Sequence, residues 1–361
     1  METWMFNPNE PIPTAWRACI ERWLPERCDI YADPRYCSTW LEWEDATAVA
    51  LWEQIEGIEF LYTFMLKPLP MVVDRHWRYD AQSFYGYGGI MTSEPASRAV
   101  FDQFNDAVDQ WMCEQGVVAE FVRQHPLMHP EPTLARRAQY RIVRTNVYAQ
   151  PVAVLQSLDS ATRRNIAKAT RAGISIERWN ARNGAELFAD LYQRTAKRLS
   201  MDAFYHFPRS YFDAVAELLG DHAWYLVARI DDQPIAALLV LQWGDTLTYH
   251  LGASDQRFWA QRPNDALFAA LLRTAVDNAF STVSLGGGTS TDPADSLYRY
   301  KSKFGNRHVP VFIGTRVHEP NTYQRLCTEW ESRHRERASQ YRSYFLRYRI
   351  GEFDRRRIVL T

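Results

Sequence analysis

No stretch of this 361-residue chain is both long and apolar enough to cross a bilayer. The opening METWMFNPNEPIPTAWRACIERW, residues 1–23, also lacks the apolar run of a secretory leader. A soluble, cytoplasmic protein with no integral membrane segment is therefore expected. Cysteine is sparse, and the five residues Cys19, Cys28, Cys37, Cys113 and Cys327 include no C-x-x-C pair. Their odd number and the missing leader argue for reduced thiols. Net charge is missing too: 42 Lys and Arg stand against 43 Asp and Glu. The chain as a whole is thus no polycation built for DNA, although local basic patches remain, such as RHRERASQYRSYFLRYRIGEFDRRR at 333–357. Low-complexity tracts and short-period repeats are absent.

Aromatic residues, in contrast, are abundant at 14%. That surplus suits well-filled cores and sites that clasp a ligand. The length exceeds what one ordinary core supports, so two domains of similar size are expected, divided at 155/156.

The first dozen residues, rich in Pro and Asn, read as irregular; a helix follows over 14–23 and stops at Pro25. GIEFLYTFMLKPLPMVVDRHW reads as two strands separated by Lys67 and two prolines, and DAQSFYGYGGIMTS at 80–93 as a loop. SRAVFDQFNDAVDQWMCEQG at 97–116 has helical spacing and ends on Gly116, and strands follow at VVAEFVRQHPLM and 140–152. DSATRRNIAKATRAG has a cap at Asp159 or Ser160 and a stop at Gly173. Two further helices, GAELFADLYQRTAKRL and PRSYFDAVAELLG, lead to strands WYLVARIDD, PIAALLVLQWG and TLTYHLGAS, the first two joined by a turn at Asp232-Gln233. NTYQRLCTEWESRHRERASQYRSYFLRYR reads as one final helix.

Residues 249–305 concentrate the candidate chemistry. A helix and a short strand there deliver Ser284-Leu285-Gly286-Gly287-Gly288-Thr289, followed by LYRYKSKFG. Three glycines allow close backbone approach, and their N–H groups could cradle an oxyanion or a phosphate; a plain tight turn fits as well. Tyr300, Lys301, Lys303 and, upstream, Tyr249 gather at this point. An ammonium placed there suits a developing oxyanion or a phosphate, and a solvated strand suits the composition equally. Arg164, Lys168 and Arg171 share one helix face, either solvated or ligand-binding. Arg123 and His125 end a strand, where a histidine is a structural residue or a base. His125-x-x-x-His129 is no metal pair, because Pro126 and Pro130 interrupt it and no further ligand completes a set. Tyr85, Tyr87 and their glycines form either a polar aromatic wall or an ordinary loop. Asp255 either caps the next turn or takes a proton from an attacking ammonium.

The stretch YHLGASD, RPNDALF, LGGG, SLYRYKSKFG resembles the C-terminal half of the Fem family, whose members have two GNAT-like domains and transfer an amino acid from aminoacyl-tRNA to an amine. FYGYGG at 84–89, AEFVRQHPL at 119–127 and DSATRRNIAKATRAG agree with it, in order, over about residues 30–315. The resemblance implies an α/β (α+β) fold of two tandem GNAT-like domains with mixed sheets flanked by helices. Domain 1 would span 1–155, completed by a C-terminal helix within 318–361, and domain 2 would span 156–317. It implies an aminoacyltransferase with charged tRNA as co-substrate, no bound cofactor and no metal. The acceptor would be an amine of a peptidoglycan precursor or of a natural-product peptide, as in antibiotic biosynthesis. Carried over by position, Lys301 after Tyr300 falls at the reaction centre with Asp255. Arg164, Lys168, Arg123, His125, Tyr85, Tyr87, Gly287, Gly288, Lys303 and Tyr249 fall on substrate.

Two departures qualify the picture. The Gly-rich loop that holds CoA pyrophosphate in ordinary GNAT enzymes is replaced by Gln256–Asn264, QRFWAQRPN, with no glycine. The long coiled-coil insertion of some Fem members is also missing, so RNA contact would rest on basic surface. An acyl-CoA- or carrier-dependent N-acyltransferase of an amino sugar or small amine is the alternative, and a non-catalytic binding subunit the third reading.

Overall fold

A computed structural model describes residues 1–72, 74–128 and 139–352. In chain order the elements are β1 (Glu2–Phe6), α1 (Thr14–Arg22), α2 (Pro34–Glu44), β2 (Thr47–Ile55), β3 (Ile58–Pro68), β4 (Tyr79–Gln82), β5 (Gly89–Thr92), α3 (Arg98–Glu114) and β6 (Val117–Arg123). Next come β7 (Gln139–Ala149), α4 (Pro151–Ser157), α5 (Ser160–Arg171), β8 (Ser175–Asn180), α6 (Ala181–Arg198) and α7 (Arg209–Leu219). The chain continues with β9 (Ala223–Ile230), β10 (Gln233–Trp243), β11 (Thr246–Ser254), α8 (Pro263–Asp277), β12 (Thr282–Gly287) and α9 (Ser296–Ser302). It closes with β13 (Arg307–Val317), α10 (Pro320–Arg333) and α11 (Arg335–Tyr341). Two compact units result: Met1–Arg141 with Phe312–Thr361, and Ile142–Val311. The expected division at 155/156 falls inside the second unit, because β7 pairs with β12 and α4 packs on α8 there.

In the first unit the strand order is β1-β2-β3-β4-β6-β13, with β5 on β3. Among the described strand pairs within it, only β4–β6 is parallel. Helix α3 buries Val100, Phe104, Val108, Trp111 and Met112 against the core of β2 and β3, the period of an amphipathic helix. Ser97 caps it and Gly116 follows it at φ +71°. Residues 2–6 form a strand where irregular chain was expected, since Trp4 and its neighbours pair with β2 from Trp52 to Ala48. Of the two strands expected over 57–77, β3 forms, paired with β2, β4 and β5, and the described residues of MVVDRHW contribute no strand. Much of the loop expected at 80–93 is strand, because β4 and β5 both pair with β3; the loop proper is 83–88.

The second unit has the order β7-β12-β11-β10-β9-β8, with only β11–β12 parallel. Its core joins Leu238, Val240, Leu247, Leu267, Leu271 and Val283 from β10, β11, α8 and β12 with Phe304 just after α9. Asp159 caps α5 and accepts from Thr162 N at 2.7 Å. The β9–β10 turn sits at Asp231-Asp232, one residue earlier than expected, and both residues have positive φ. That is the hairpin geometry that Asp tolerates.

The final helix divides. His334 leaves the helical region at φ −127°, ψ 50°, and the chain folds back so that Trp330 Nε1 donates to Ile350 O at 3.0 Å and Tyr323 OH to Phe345 O at 2.6 Å. Arg349 is the buried anchor: Nε donates to Asp80 Oδ2 at 2.6 Å and Nη2 to Pro68 O at 2.8 Å. Arg355–Arg357 of the basic stretch lie outside the described residues. Among the described residues no helix is long and apolar enough to cross a membrane.

Candidate active site

Strands β11 and β12 pair over only three positions, Thr246–Thr282, Leu247–Val283 and Thr248–Ser284. At that point the β10–β11 register shifts between Leu239 and Val240, leaving His250 as an extra residue after Tyr249. Such a bulge bends a strand and re-aims its side chains. The Tyr249 ring packs on Phe268 of α8 at 5.2 Å. Burial pushes its hydroxyl up to about 12, so it stays a neutral donor.

Lys301 comes to this place from α9. The residue is 5% exposed, and its ammonium donates to Gly287 O at 2.9 Å and sits 5.0 Å from the centre of the Tyr249 ring. Burial first, and the charge of Arg144 second, lower its pKa to about 7, and Asp295 opposes both. A buried ammonium with one carbonyl and one aromatic face around it keeps donor capacity in reserve. That is an electrostatic partner for an oxygen that acquires charge.

Asp295 fixes the lysine's approach. It caps α9 by accepting from Tyr298 N at 2.9 Å, and it binds the Thr289 N–H at 2.9 Å and the Thr289 hydroxyl. These bonds hold its carboxyl down to about 2. The glycine triplet is what lets this clasp close. A Cβ on Gly288 would lie 2.5 Å from Asp295 Oδ1, and one on Gly287 2.7 Å from Thr145 O. The N–H cradle expected at this turn is accordingly engaged in part by the chain's own Asp295, and the turn offers Lys301 a carbonyl instead.

The remaining expected residues separate into distinct places. Tyr300 turns away from Lys301, as neighbours on a helix do, and its ring packs on Phe268 at 5.4 Å and Phe304 at 5.8 Å. Its hydroxyl is buried without a hydrogen-bond partner among the described residues, and burial, then the charge of Asp265, raise its pKa. Lys303 is exposed, with Nζ 5.6 Å from the Tyr300 ring. Arg164 and Lys168 lie exposed on α5. Asp255, at the far end of β11, caps the 3₁₀ turn Gln256–Gln261 and pairs with Arg257, Nη2 to Oδ2 at 2.6 Å. That pairing holds its carboxyl below the usual range, so Asp255 is a cap and an ion-pair partner rather than a free base.

Arg123, His125, Tyr85 and Tyr87 gather in the first unit. His125 Nδ1 accepts from Leu127 N at 3.3 Å and Met128 N at 3.2 Å, which leaves Nε2 to donate to Asp29 Oδ2 at 3.2 Å. Both ring nitrogens are therefore committed, and the histidine orders the loop after β6 instead of acting as a base. Tyr87 packs on His125 at 5.4 Å, Tyr85 on Trp40 at 4.9 Å, and Arg123 Nη1 donates to Gly86 O at 3.4 Å. His129 lies outside the described residues. Among those described, no three His, Cys, Asp or Glu side chains form a metal-binding group.

Sequence reasoning missed Arg144, Asn146 and Asp295. Asp295 carried a signal, an Asp directly before a helical run. Arg144 and Asn146 carried none, since only the β7–β12 pairing brings them beside Gly287.

Residues 156–302 match the family described as Acetyltransferase (GNAT) domain. The fold is GNAT-like. Among solved structures, FemX is similar over 90% of this chain and 99% of its own, with TM-score 0.67 and 13% identity. The C-terminal domain (DUF2156) of a protein assigned as a lysylphosphatidylglycerol synthetase from Agrobacterium fabrum covers 83% of this chain and 90% of its own, at TM-score 0.53 and 12% identity. L-PGS from Bacillus licheniformis covers 85% and 92%, at TM-score 0.54 and 11% identity. No curated protein matches in sequence. At these identities the likeness concerns the fold, and with the domain match it supports a GNAT-type acyltransferase.

Proposed function

We propose that the protein is an aminoacyltransferase that joins an activated amino acid, carried as an ester on tRNA, to the amine of a peptidoglycan precursor or natural-product peptide. The observation that carries this reading is the buried Lys301 ammonium where β11 and β12 cease to pair. In the reaction the acceptor nitrogen forms a bond to the ester carbonyl carbon, and the carbonyl electron pair moves to oxygen. Lys301 stabilises that oxyanion. Collapse breaks the carbon–oxygen ester bond, and the proton lost by nitrogen goes to the departing ribose oxygen. No oxidant, reductant or metal is needed to balance the step.

Support for an ester donor over a CoA thioester comes from the start of α8. Pro263 removes one N–H from its first turn, and Asp265, 3% exposed, puts a carboxyl there that accepts from Asn165 Nδ2 at 3.2 Å. A helix N-terminus so furnished is a poor pyrophosphate site. The neighbour assigned as a lysylphosphatidylglycerol synthetase, by its name, also works with an aminoacyl group. The match of 156–302 to an acetyltransferase family favours the second reading, acyl-CoA-dependent N-acylation.

The test is transfer of radiolabelled amino acids from a charged tRNA pool to an amine-bearing cell-wall precursor peptide. RNase added before the enzyme should abolish product. Product that survives RNase and requires acyl-CoA would instead select the second reading.

A further inference from the structure

At the opposite end of β11 from Tyr249 lies a cleft of about 360 Å³, lined by α6 and the first residues after the strand. Arg194 and Arg198, one helical turn apart on α6, form one wall, with Leu191 beside them. Ser254, Asp255 and Arg257 form the other. Among the described residues neither Arg194 nor Arg198 forms an ion pair within 4.0 Å, although the charge of Arg194 also acts on Asp255, which is bound to Arg257 by Nε at 3.0 Å and Nη2 at 2.6 Å. Three guanidinium groups against one carboxylate leave a surplus of two positive charges, three minus one. Arg257 remains 66% exposed at its side chain while its aspartate partner is 13% exposed, so the pair orients the guanidinium and leaves donors facing outward.

Trp259 gives the place a second character. The residue is 44% exposed, and its ring is pinned by Nε1 donating to Ser254 Oγ at 3.0 Å and lies 4.4 Å from the Arg198 guanidinium. An indole held at the surface beside the Arg198 guanidinium combines an aromatic platform with a phosphate donor.

We infer that this cleft binds the phosphate groups of a nucleotide-bearing ligand, with Arg194, Arg198 and Arg257 on phosphate and Trp259 stacked on a base. For an RNA end the inference rests on the proposed reaction, and for a free nucleotide it goes beyond it; in both cases the phosphates meet side chains of α6 and residues 254–257, not the α8 N-terminus. Two sources share the chemistry, a free nucleotide and the unpaired end of an RNA chain, and the probes separate them.

The experiment uses the full chain, with a fluorescein-labelled single-stranded RNA tetramer read by anisotropy and ADP as unlabelled competitor. Arg194→Gln/Arg198→Gln should weaken RNA binding at least about tenfold. The slope of log affinity against log salt should become shallower by roughly 0.7 for each phosphate that is no longer neutralised. Arg182→Gln, exposed on the same helix away from the cleft, should change affinity by less than about twofold. Trp259→Ala should weaken the tetramer while leaving the salt slope in place. Competition by ADP at the tetramer's own affinity identifies a free nucleotide as the source; weak competition identifies the RNA chain. The inference is overturned if neither probe binds, or if the double variant loses no more affinity than Arg182→Gln. Each readout is binding, so its failure is distinguishable from failure of the transfer reaction.

Discussion

Lys301 is the residue where burial, charge and position meet, and its titration has a definite sign. Its folded pKa of about 7 lies below that of an unfolded lysine. Between those values the unfolded chain holds one more proton, so this residue makes the protein more stable as pH rises above about 7; below that, the full cost of the buried charge is present. Lys301→Met should therefore gain most in Tm relative to wild type near pH 6, and the gain should shrink toward pH 10. A gap that widens with pH, read by scanning calorimetry, would refute the assigned environment. Asp255 is expected to behave as a cap and not as a base. Asp255→Ala should lower stability by about 1 kcal/mol and leave kcat within a few-fold. A loss of kcat of a hundredfold or more would restore it as a proton acceptor. At this scale the sequence singled out Lys301 through its glycine and aromatic neighbours, and the structure places it buried between Gly287 O and the Tyr249 ring. It could not show that Arg257 claims Asp255, or that two backbone N–H groups and Asp29 claim His125, because those partners depend on how loops close.

Among elements, the clasp between the glycine turn and α9 sets where the ammonium lies. Gly288→Ala puts a methyl group 2.5 Å from Asp295 Oδ1, a carboxylate already tied to Thr289 and Tyr298. The clasp must open, so transfer should fall about tenfold or more with far-UV circular dichroism unchanged. Activity equal to wild type would mean that the turn does not position Lys301. Helices with local signals were readable from sequence: α5 between its Asp159 cap and Gly173, and α3 between Ser97 and Gly116. Elements made by partners were not. Strand β1 exists because β2 pairs with it, and the break at His334 exists because Trp330 and Tyr323 reach back to Ile350 and Phe345.

For the whole molecule, the chain's last described segment is tied into the first unit by ionic groups that water barely reaches. Arg349 Nε lies 2.6 Å from Asp80 Oδ2, with side chains 7% and 0% exposed, and Tyr348 OH donates to Asp80 Oδ1 at 2.7 Å. Arg349→Met removes one member of a buried pair and should cost roughly 3–5 kcal/mol, read from urea unfolding. A loss below about 1 kcal/mol would show that the aspartate finds another partner or takes up a proton. The two-unit plan was suggested by length and by motif order. Its boundary at 141/142 was hidden, since β7 looks like any alternating strand until β12 is seen beside it.

The central claim is that a protonated Lys301 stabilises the oxyanion of acyl transfer. Its most direct test is the single-turnover rate of Lys301→Met against wild type, with charged tRNA and an amine acceptor at pH 6.5, about half a unit below the lysine's own value. The account predicts a loss of about a hundredfold or more with donor affinity unchanged, the scale seen when one oxyanion donor is removed. A variant that transfers within about threefold of wild type would contradict it.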